Sequence, residues 1–198
     1  MNISVDLLIA NGAENKDIQR LNQIIGQQEL SVTEFVNKAH LKPYDYEYLI
    51  PYVLRNGAKI KDIVRFAINC AILVLPIFER YRPFDQRPRE AIQAAKTYLN
   101  QTNDKQRDVT ASLAIYRATL AIRASNTAFD EKRFEESAAA VVAAKTAIFI
   151  WSSKQQFSIN MHTLFGVIEA TSIVNSLADE CMKELFLRVL DRETECAP

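Results

Sequence analysis

The chain has 198 residues, of which 24 are Lys or Arg and 24 are Asp or Glu, so its formal net charge is +0. This balance lacks the basic excess by which nucleic-acid-binding proteins displace counterions, and we expect no nucleic-acid partner. Four glycines are too few for a fold built on many tight turns, which argues against an all-β protein.

The cysteines and the apolar segments indicate neither a metal site nor a membrane segment. Three cysteines occur without C-x-x-C or Cys/His ligand spacing. We expect free thiols in a reducing compartment, and no bound metal or other cofactor. The longest apolar stretch, 66–78, is too short to cross a bilayer, and the first residues do not have the pattern of a secretory leader. These features predict a cytoplasmic protein without a membrane partner.

Helical periodicity accounts for the first 80 residues. Apolar residues recur at helical spacing over 3–10, 15–25, 44–55 and 59–80. Ser31-Val-Thr-Glu34 has the pattern of a capping box, which predicts a further helix that ends before Pro43. The 59–80 helix is apolar nearly all round after residue 66, so we expect it to be the central helix.

The motif N-G-A-x-x-K-D-I-x-R occurs twice, at 11–20 and at 56–65. In each copy the glycine can adopt the left-handed conformation that ends a helix. The aspartate then lies in the first turn of the next helix, where it favours the positive end of the helix dipole. The repeat indicates either two stacked helical hairpins or the same cap chemistry arising twice.

The C-terminal half is also helical in pattern. We predict helices over 88–100, 108–125, 129–152 and 161–190, the last with breaks near Gly166 and Asn175. Alanine-rich stretches predict that the 108–125 and 129–152 helices form an antiparallel pair with a tight seam. No strand-like alternation of useful length occurs. The predicted fold is all-α: a multi-helix bundle of stacked antiparallel helical hairpins.

The segment 78–99 joins two parts of what we predict to be a single all-helical domain over 1–190. N-terminal hairpins occupy 1–80, and a C-terminal bundle occupies 84–190. The polar residues 191–198 are expected to form a frayed tail.

Four arginines lie within ten residues of this segment, at Arg80, Arg82, Arg87 and Arg89. One interpretation is an anion-binding patch. In the other, Asp85 caps the following helix while Arg87 or Arg89 pairs with it or with Glu79. Pro88 then lies in the first helical turn, where its missing N–H costs nothing. Interspersed acidic residues dilute any positive field, which favours the second interpretation, a rigid charge-paired corner.

The sequence has no recognisable catalytic apparatus. It lacks a nucleophile elbow, a phosphate-binding loop and Glu-x-x-His pairs. His162 has apolar neighbours, and a buried structural histidine is favoured over a general base. With Trp151 and Glu169 it could line a pocket, so a helical small-ligand-binding protein is an alternative function. An enzyme that uses His162 as its base is the least favoured hypothesis, and we expect no enzyme and no catalytic residue.

The stretch Asp85-Gln-Arg87-Pro88-Arg89-Glu-Ala91-Ile92 follows an apolar helix that ends in Pro-Ile-Phe-Glu. It resembles the D-x-R-P-R-x-A-I core of the fifth family of immunity proteins from bacterial polymorphic toxin systems. In that family an aromatic residue, often tryptophan, follows on the same helix, and Tyr98 occupies the matching place. Leu7-Leu8, Gly12-Ala13 and the alanine-rich helices between 108 and 151 are similar in character to other parts of the family.

The resemblance implies a non-enzymatic, all-α bacterial protein that is encoded beside a toxin and neutralises this cognate partner by occlusion. The motif residues named above, with Tyr98, are then expected to be structural. Partner contacts would come from Arg80 and Arg82 and from a tyrosine stripe, Tyr44, Tyr48 and Tyr52, because tyrosine combines apolar area with a polar group. The stripe has a second interpretation, packing against the long central helix, and this one is favoured.

Overall fold

The computed structural model describes residues 2–10, 15–26, 28–39, 41–152, 157–174 and 178–191. Within them the fold is an all-α helical bundle, as predicted. The helices, α1 to α10 in chain order, are Val5–Ala10, Asn15–Ile25, Val32–Lys38, Tyr46–Arg55, Ile60–Tyr81, Arg87–Asn100, Asp104–Asp130, Phe134–Ser152, Phe157–Val174 and Ala178–Asp191. Contacts divide the chain into a first unit, Met1–Ile63 with Asp179–Pro198, and a second unit, Val64–Ala178. The predicted domain organisation stays a prediction.

The first unit contains a short strand pair that the sequence analysis missed. Strand β1 (Asn2–Ile3) pairs antiparallel with β2 (Leu30–Ser31). Two residues are too few to show a period of two, so no pattern could reveal them. Ser31 also caps α3: its Oγ accepts the Glu34 N–H at 3.2 Å, and the Glu34 carboxylate accepts the Ser31 N–H at 2.9 Å. The predicted capping box is therefore confirmed.

A buried carboxylate organises the first unit. The Asp45 side chain is fully buried and accepts hydrogen bonds from Arg20 of α2 and from the Tyr48 hydroxyl of α4. It also accepts the Lys42 N–H at 2.7 Å. Because a buried carboxylate is costly unless several donors satisfy it, this arrangement fixes α2 against the start of α4.

Helix α10 returns to the first unit. The rings of Tyr46 in α4 and Phe186 in α10 meet edge to face, with centroids 5.4 Å apart, and both side chains are fully buried. The Lys183 ammonium donates to the Asn37 carbonyl at the end of α3. The last helix thus packs against the N-terminal helices of this unit. The sequence pattern gives no indication that Tyr46 and Phe186 contact each other.

The two copies of the sequence repeat have the same helical register where the structure describes them. Asp17 is the third residue of α2 and Asp62 the third residue of α5, and both side chains are buried. Gly57 has a φ of 114°, which suits the predicted glycine between helices. The corresponding residues 11–14 of the first copy lie outside the described part of the chain.

In the second unit, alanines let α6, α7 and α8 approach closely. One buried cluster is built from Ala91, Ala94, Ala114, Ala118, Ala121, Ala144 and Ala147. Helices α7 and α8 are joined by only three residues and pack along each other, and the buried hydroxyls of Ser125 and Ser137 lie 2.9 Å apart between them. These contacts confirm the predicted antiparallel pair and its small-residue seam.

Several predicted boundaries are wrong. Helix α7 is longer than the predicted 108–125, because Asn103 caps it by accepting the Lys105 N–H at 2.9 Å. Helix α8 begins at Phe134 rather than at 129. Helix α9 passes through Gly166 without the predicted break. The Lys145 side chain of α8 lies over this glycine, so a larger residue there would displace the end of that side chain. The predicted break near Asn175 lies outside the described residues.

Candidate partner-binding surface

The corner between α5 and α6 is closed by Asp85. Its carboxylate accepts the Arg87 N–H at 3.2 Å and takes two bonds from the Arg87 guanidinium, at 2.8 Å to Nε and 2.6 Å to a terminal nitrogen. The bonds from Arg87 lower the pKa of Asp85, against the opposing effect of burial. The predicted pairing of Asp85 with Arg87 is confirmed, and Pro88 lies in the first turn of α6.

A second arginine of the motif spans the corner. The Arg89 guanidinium donates two bonds of 2.7 Å to the Glu79 carboxylate, which connects α6 to the last turns of α5. These bonds raise the pKa of Arg89. On α6, Glu90 accepts a bond from Arg117 of α7. Each of these arginines is thus paired within the second unit, which accords with the structural interpretation of the motif.

The remaining motif residues face different surroundings. Ala91 and Ile92 are buried, and Ala91 belongs to the alanine cluster described above. Tyr98, farther along α6, is half-buried. The motif therefore has its charged residues at the corner and its apolar residues in the helix seam, and their structural role stays a prediction.

The turn between α7 and α8 lies against this corner. Arg82, just after α5, is bonded to Glu131, just after α7. The turn itself has a helix-ending geometry: Lys132 has a φ of 61°, and the Arg133 N–H donates to the Ala128 carbonyl at 2.8 Å. One ion pair therefore holds two separate chain turns at the same end of the second unit.

Three phenylalanines are exposed around that ion pair. Phe84, in the corner, is 95% exposed, while Phe129 and Phe134, on either side of the turn, are 58% and 57% exposed. The rings of Phe129 and Phe134 meet edge to face, with centroids 5.4 Å apart. We call Phe84, Phe129 and Phe134 the aromatic surface. Exposed phenylalanines on two turns that an ion pair links are typical of interaction sites rather than of ordinary protein surface.

Beside the aromatic surface is an open cavity of about 360 Å³. It is lined by Ile77, Arg80, Tyr81, Arg133, Glu135 and Glu136. The Tyr81 ring lies between two guanidinium groups, with Arg82 at 5.1 Å and Arg133 at 5.2 Å from its centroid. Arg80, predicted as a partner contact, is exposed at the rim, and Arg82 is engaged with Glu131.

The predicted tyrosine stripe is not a surface feature. Tyr48 and Tyr52 are buried in the first unit, where their hydroxyls donate to Asp45 and to the Asn2 carbonyl. Burial, followed by the nearby Asp45 carboxylate, raises the pKa of Tyr48. Neither residue is available to a partner, so the partner-contact interpretation is wrong for both. Only Tyr44 is exposed, at 40%, with Arg20 lying 5.7 Å from its ring centroid.

The predicted pocket residues whose side chains the structure describes lie on the surface. His162 and Glu169 are both exposed on α9, so the expectation of a buried His162 is wrong. They lie two turns apart on the same outward side of the helix as the exposed Ile173. The side chain of Trp151 lies outside the described residues. The alternative function, a ligand pocket around these residues, therefore has no support from their positions.

Sequence reasoning missed most of the aromatic surface. The sequence pattern places Phe129 and Phe134 in one continuous helix, because the intervening D-E-K-R run contains no Gly or Pro and three of its four residues favour helices. No site role is predicted for Phe84, which directly precedes the motif. Nothing in the sequence indicates that the corner with Phe84 is linked to the turn with Phe129 and Phe134, because this link is the Arg82–Glu131 pair, 49 positions apart.

Two further properties bear on the kind of site. Among the described residues, no group of three or more His, Cys, Asp and Glu side chains has an arrangement suited to a metal ion. No helix in the same part of the chain combines the length and the apolar character needed to cross a bilayer. Cys70 is fully buried, and burial raises the pKa of its thiol.

Comparison with known proteins gives one match. Residues 56–148 match the family model described as "Imm-5 like putative immunity protein". No curated protein and no solved structure matches the chain significantly. The matched segment covers α5, the corner, α6, α7 and most of α8, and it includes the whole aromatic surface. Membership of the fifth family stays a prediction, but this segment is similar to an immunity-protein family.

Proposed function

We propose that this chain is a bacterial immunity protein, which binds a cognate toxin in the cytoplasm and neutralises it by occlusion, without catalysis. The observation that carries the proposal is the match of residues 56–148 to an immunity-protein family. The family description says what kind of protein that segment resembles. It does not name a toxin, and the identity of the partner is left to experiment.

The geometry of the matched segment supports a binding role. The corner and the α7–α8 turn are fixed by the Asp85–Arg87, Glu79–Arg89 and Arg82–Glu131 pairs. A surface that is rigid before binding loses little conformational freedom when a partner arrives, so more of the contact energy appears as affinity. A passive inhibitor needs such a preformed surface and no reactive group.

Co-expression tests the proposal. The probe is the protein encoded by the gene adjacent to this one, which an immunity protein is expected to neutralise. Cells that express the neighbouring protein alone should stop growing, and cells that also express this chain should grow. The two purified proteins should form a stable complex by isothermal titration calorimetry. Continued growth arrest together with the absence of a complex would refute the proposal.

A His162→Ala variant separates binding from catalysis in the same assay. His162 is exposed, so its replacement should leave folding intact. We expect full rescue by the variant, because occlusion needs no proton transfer. Loss of rescue with an unchanged melting temperature and unchanged affinity would instead favour the hypothesis of an enzyme with His162 as its base.

A further inference from the structure

We propose that the aromatic surface is the face that contacts the toxin, and that it enters a concave, apolar recess of the toxin that carries no excess charge. This inference rests on the proposed function and deepens it, because it assigns the docking surface and the chemistry of the surface that receives it. It follows from the exposure, the fixed geometry and the charge pairing of the corner and the turn.

The exposure of the three phenylalanines indicates the shape of the partner surface. A phenylalanine that is 95% exposed, as Phe84 is, projects from its surroundings, and Phe129 and Phe134 stand beside the ion pair that holds the corner. Projecting aromatic side chains gain binding energy only when they are desolvated in a pocket of the partner. A flat partner surface would leave most of the Phe84 ring in water, so the complementary surface is concave.

The aromatic surface is held in place before binding. The Asp85–Arg87 pair fixes the corner that carries Phe84, and the Arg82–Glu131 pair joins this corner to the turn. The edge-to-face contact of Phe129 with Phe134 orients the other two rings. The backbone that carries Phe84 and the paired rings of Phe129 and Phe134 are therefore fixed before binding, which reduces the ordering cost of their insertion.

Charge excludes the main alternative partners. Residues 79–90 and 130–136 together carry six Lys or Arg and seven Asp or Glu side chains. Most of them are paired with one another: Arg82 with Glu131, Arg87 with Asp85, and Arg89 with Glu79. Glu90 and Glu136 are paired with Arg117 and Arg133. A surface whose formal net charge is only −1, and whose charges are mostly paired, offers little to a polyanion or to the basic cleft of a nuclease, so the recess it fits is close to neutral and apolar.

Binding of the neighbouring gene's product tests the inference. Three proteins are compared with the unaltered chain: Phe84→Ser, the double variant Phe129→Ser/Phe134→Ser, and a control, Val109→Ser/Tyr116→Ser. The control residues lie on the outer side of α7, and their exposure, 71% and 57%, matches that of the tested residues. All these side chains are mostly in water, so melting temperatures should stay close to that of the unaltered chain.

We expect Phe84→Ser to raise the Kd by about thirtyfold or more, as loss of a central anchor does. The Phe129/Phe134 double variant should weaken binding by a similar factor, and the Val109/Tyr116 control should bind like the unaltered chain. The Kd of the unaltered chain should change by less than about threefold between about 50 and about 500 mM NaCl, because a surface with a formal net charge of only −1 leaves little attraction for salt to screen.

The outcomes separate the two proposals. If the unaltered chain does not bind the neighbouring protein, both are refuted. If it binds, and the Phe84 and Phe129/Phe134 variants bind equally tightly, only the docking surface is refuted, and the proposed function stands. Binding that weakens more than about tenfold over the same salt range would refute the neutral recess.

Discussion

Replacing Asp85 by alanine should destabilise the second unit in a way that can be measured and is specific to this residue. The change removes the acceptor of the Arg87 N–H at the start of α6 and both bonds to the Arg87 guanidinium. It leaves the backbone bond from the Asp85 N–H to the Arg82 carbonyl in place. The corner should therefore persist, but the Arg87 N–H in the first turn of α6 loses its acceptor.

The size of the effect follows from these contacts. Asp85 precedes the N-cap residue, Gln86, but its carboxylate accepts a first-turn N–H as a capping side chain does, and loss of such an acceptor costs about 0.5–2 kcal/mol. The Arg87 side chain is 32% exposed, so after the substitution it can be solvated, and the ion pair itself adds only about 0.2–1 kcal/mol. We expect a total loss of about 1–2.5 kcal/mol in the free energy of unfolding, or a Tm decrease of about 2–8 °C.

The pH dependence distinguishes the carboxylate from the general effect of a substitution. Because the pKa of Asp85 is lower in the folded than in the unfolded chain, its stabilisation is complete above the unfolded-state value of about 3.9. It is lost as the pH falls through the folded-state pKa. In an Asp85→Asn variant, the deficit relative to the unaltered chain should be present at about pH 7 and should disappear near about pH 2–3.

Urea unfolding monitored by circular dichroism at several pH values measures both effects. Asp130→Ala is a suitable control, because Asp130 is an exposed acid at the end of α7, and its loss removes a negative charge near the negative end of that helix. The control should be neutral or slightly stabilising. An unchanged unfolding midpoint for Asp85→Ala, or an Asp85→Asn deficit that is equal at neutral and acidic pH, would refute the account of the corner.

Three other predictions concern packing and turns. Tyr48→Phe removes a donor from the buried Asp45 carboxylate and should lower the free energy of unfolding by about 1–3 kcal/mol; a loss below about 0.5 kcal/mol in urea titrations would contradict the buried network. Ser125→Ala and Ser137→Ala should be non-additive, since the second substitution removes a hydroxyl that the first left unpaired; a double-mutant cycle with a coupling energy near zero would show that the two hydroxyls do not interact. Lys132→Gly should raise the free energy of unfolding by about 0.5–1 kcal/mol, and with it the Tm, because glycine adopts a positive φ without strain; a lower Tm by calorimetry would contradict that geometry.

The predicted burial of His162 is wrong because the sequence of an apolar helix does not show which side is covered. Helix α9 is rich in apolar residues on every side, so its sequence does not reveal which side faces outward. His162 has apolar neighbours along the chain, yet it shares the exposed side with Glu169 and Ile173. Burial was inferred from neighbours in sequence, whereas it depends on which neighbouring helices cover each side.

The three tyrosines of the stripe do not share one exposed face, because they do not lie in one helix. Tyr44, Tyr48 and Tyr52 recur at helical spacing, but Tyr44 lies in the 3₁₀ turn that precedes α4. The turn exposes Tyr44, while the following helix buries the other two. Spacing along the chain places residues on one face only where a single helix continues through all of them.

The sequence alone was enough to predict interactions between residues that are close along the chain. The all-α class, the capping box at Ser31 and the pairing of Asp85 with Arg87 depend on residues a few positions apart, so the order of residues is enough to determine them. The aromatic surface and the buried carboxylate at Asp45 were decided by the tertiary structure, because their contacts join residues 25 to 49 positions apart. In an amphipathic helix the sequence pattern indicates which residues face inward, but only the packing of helices determines which outward residues lie near one another.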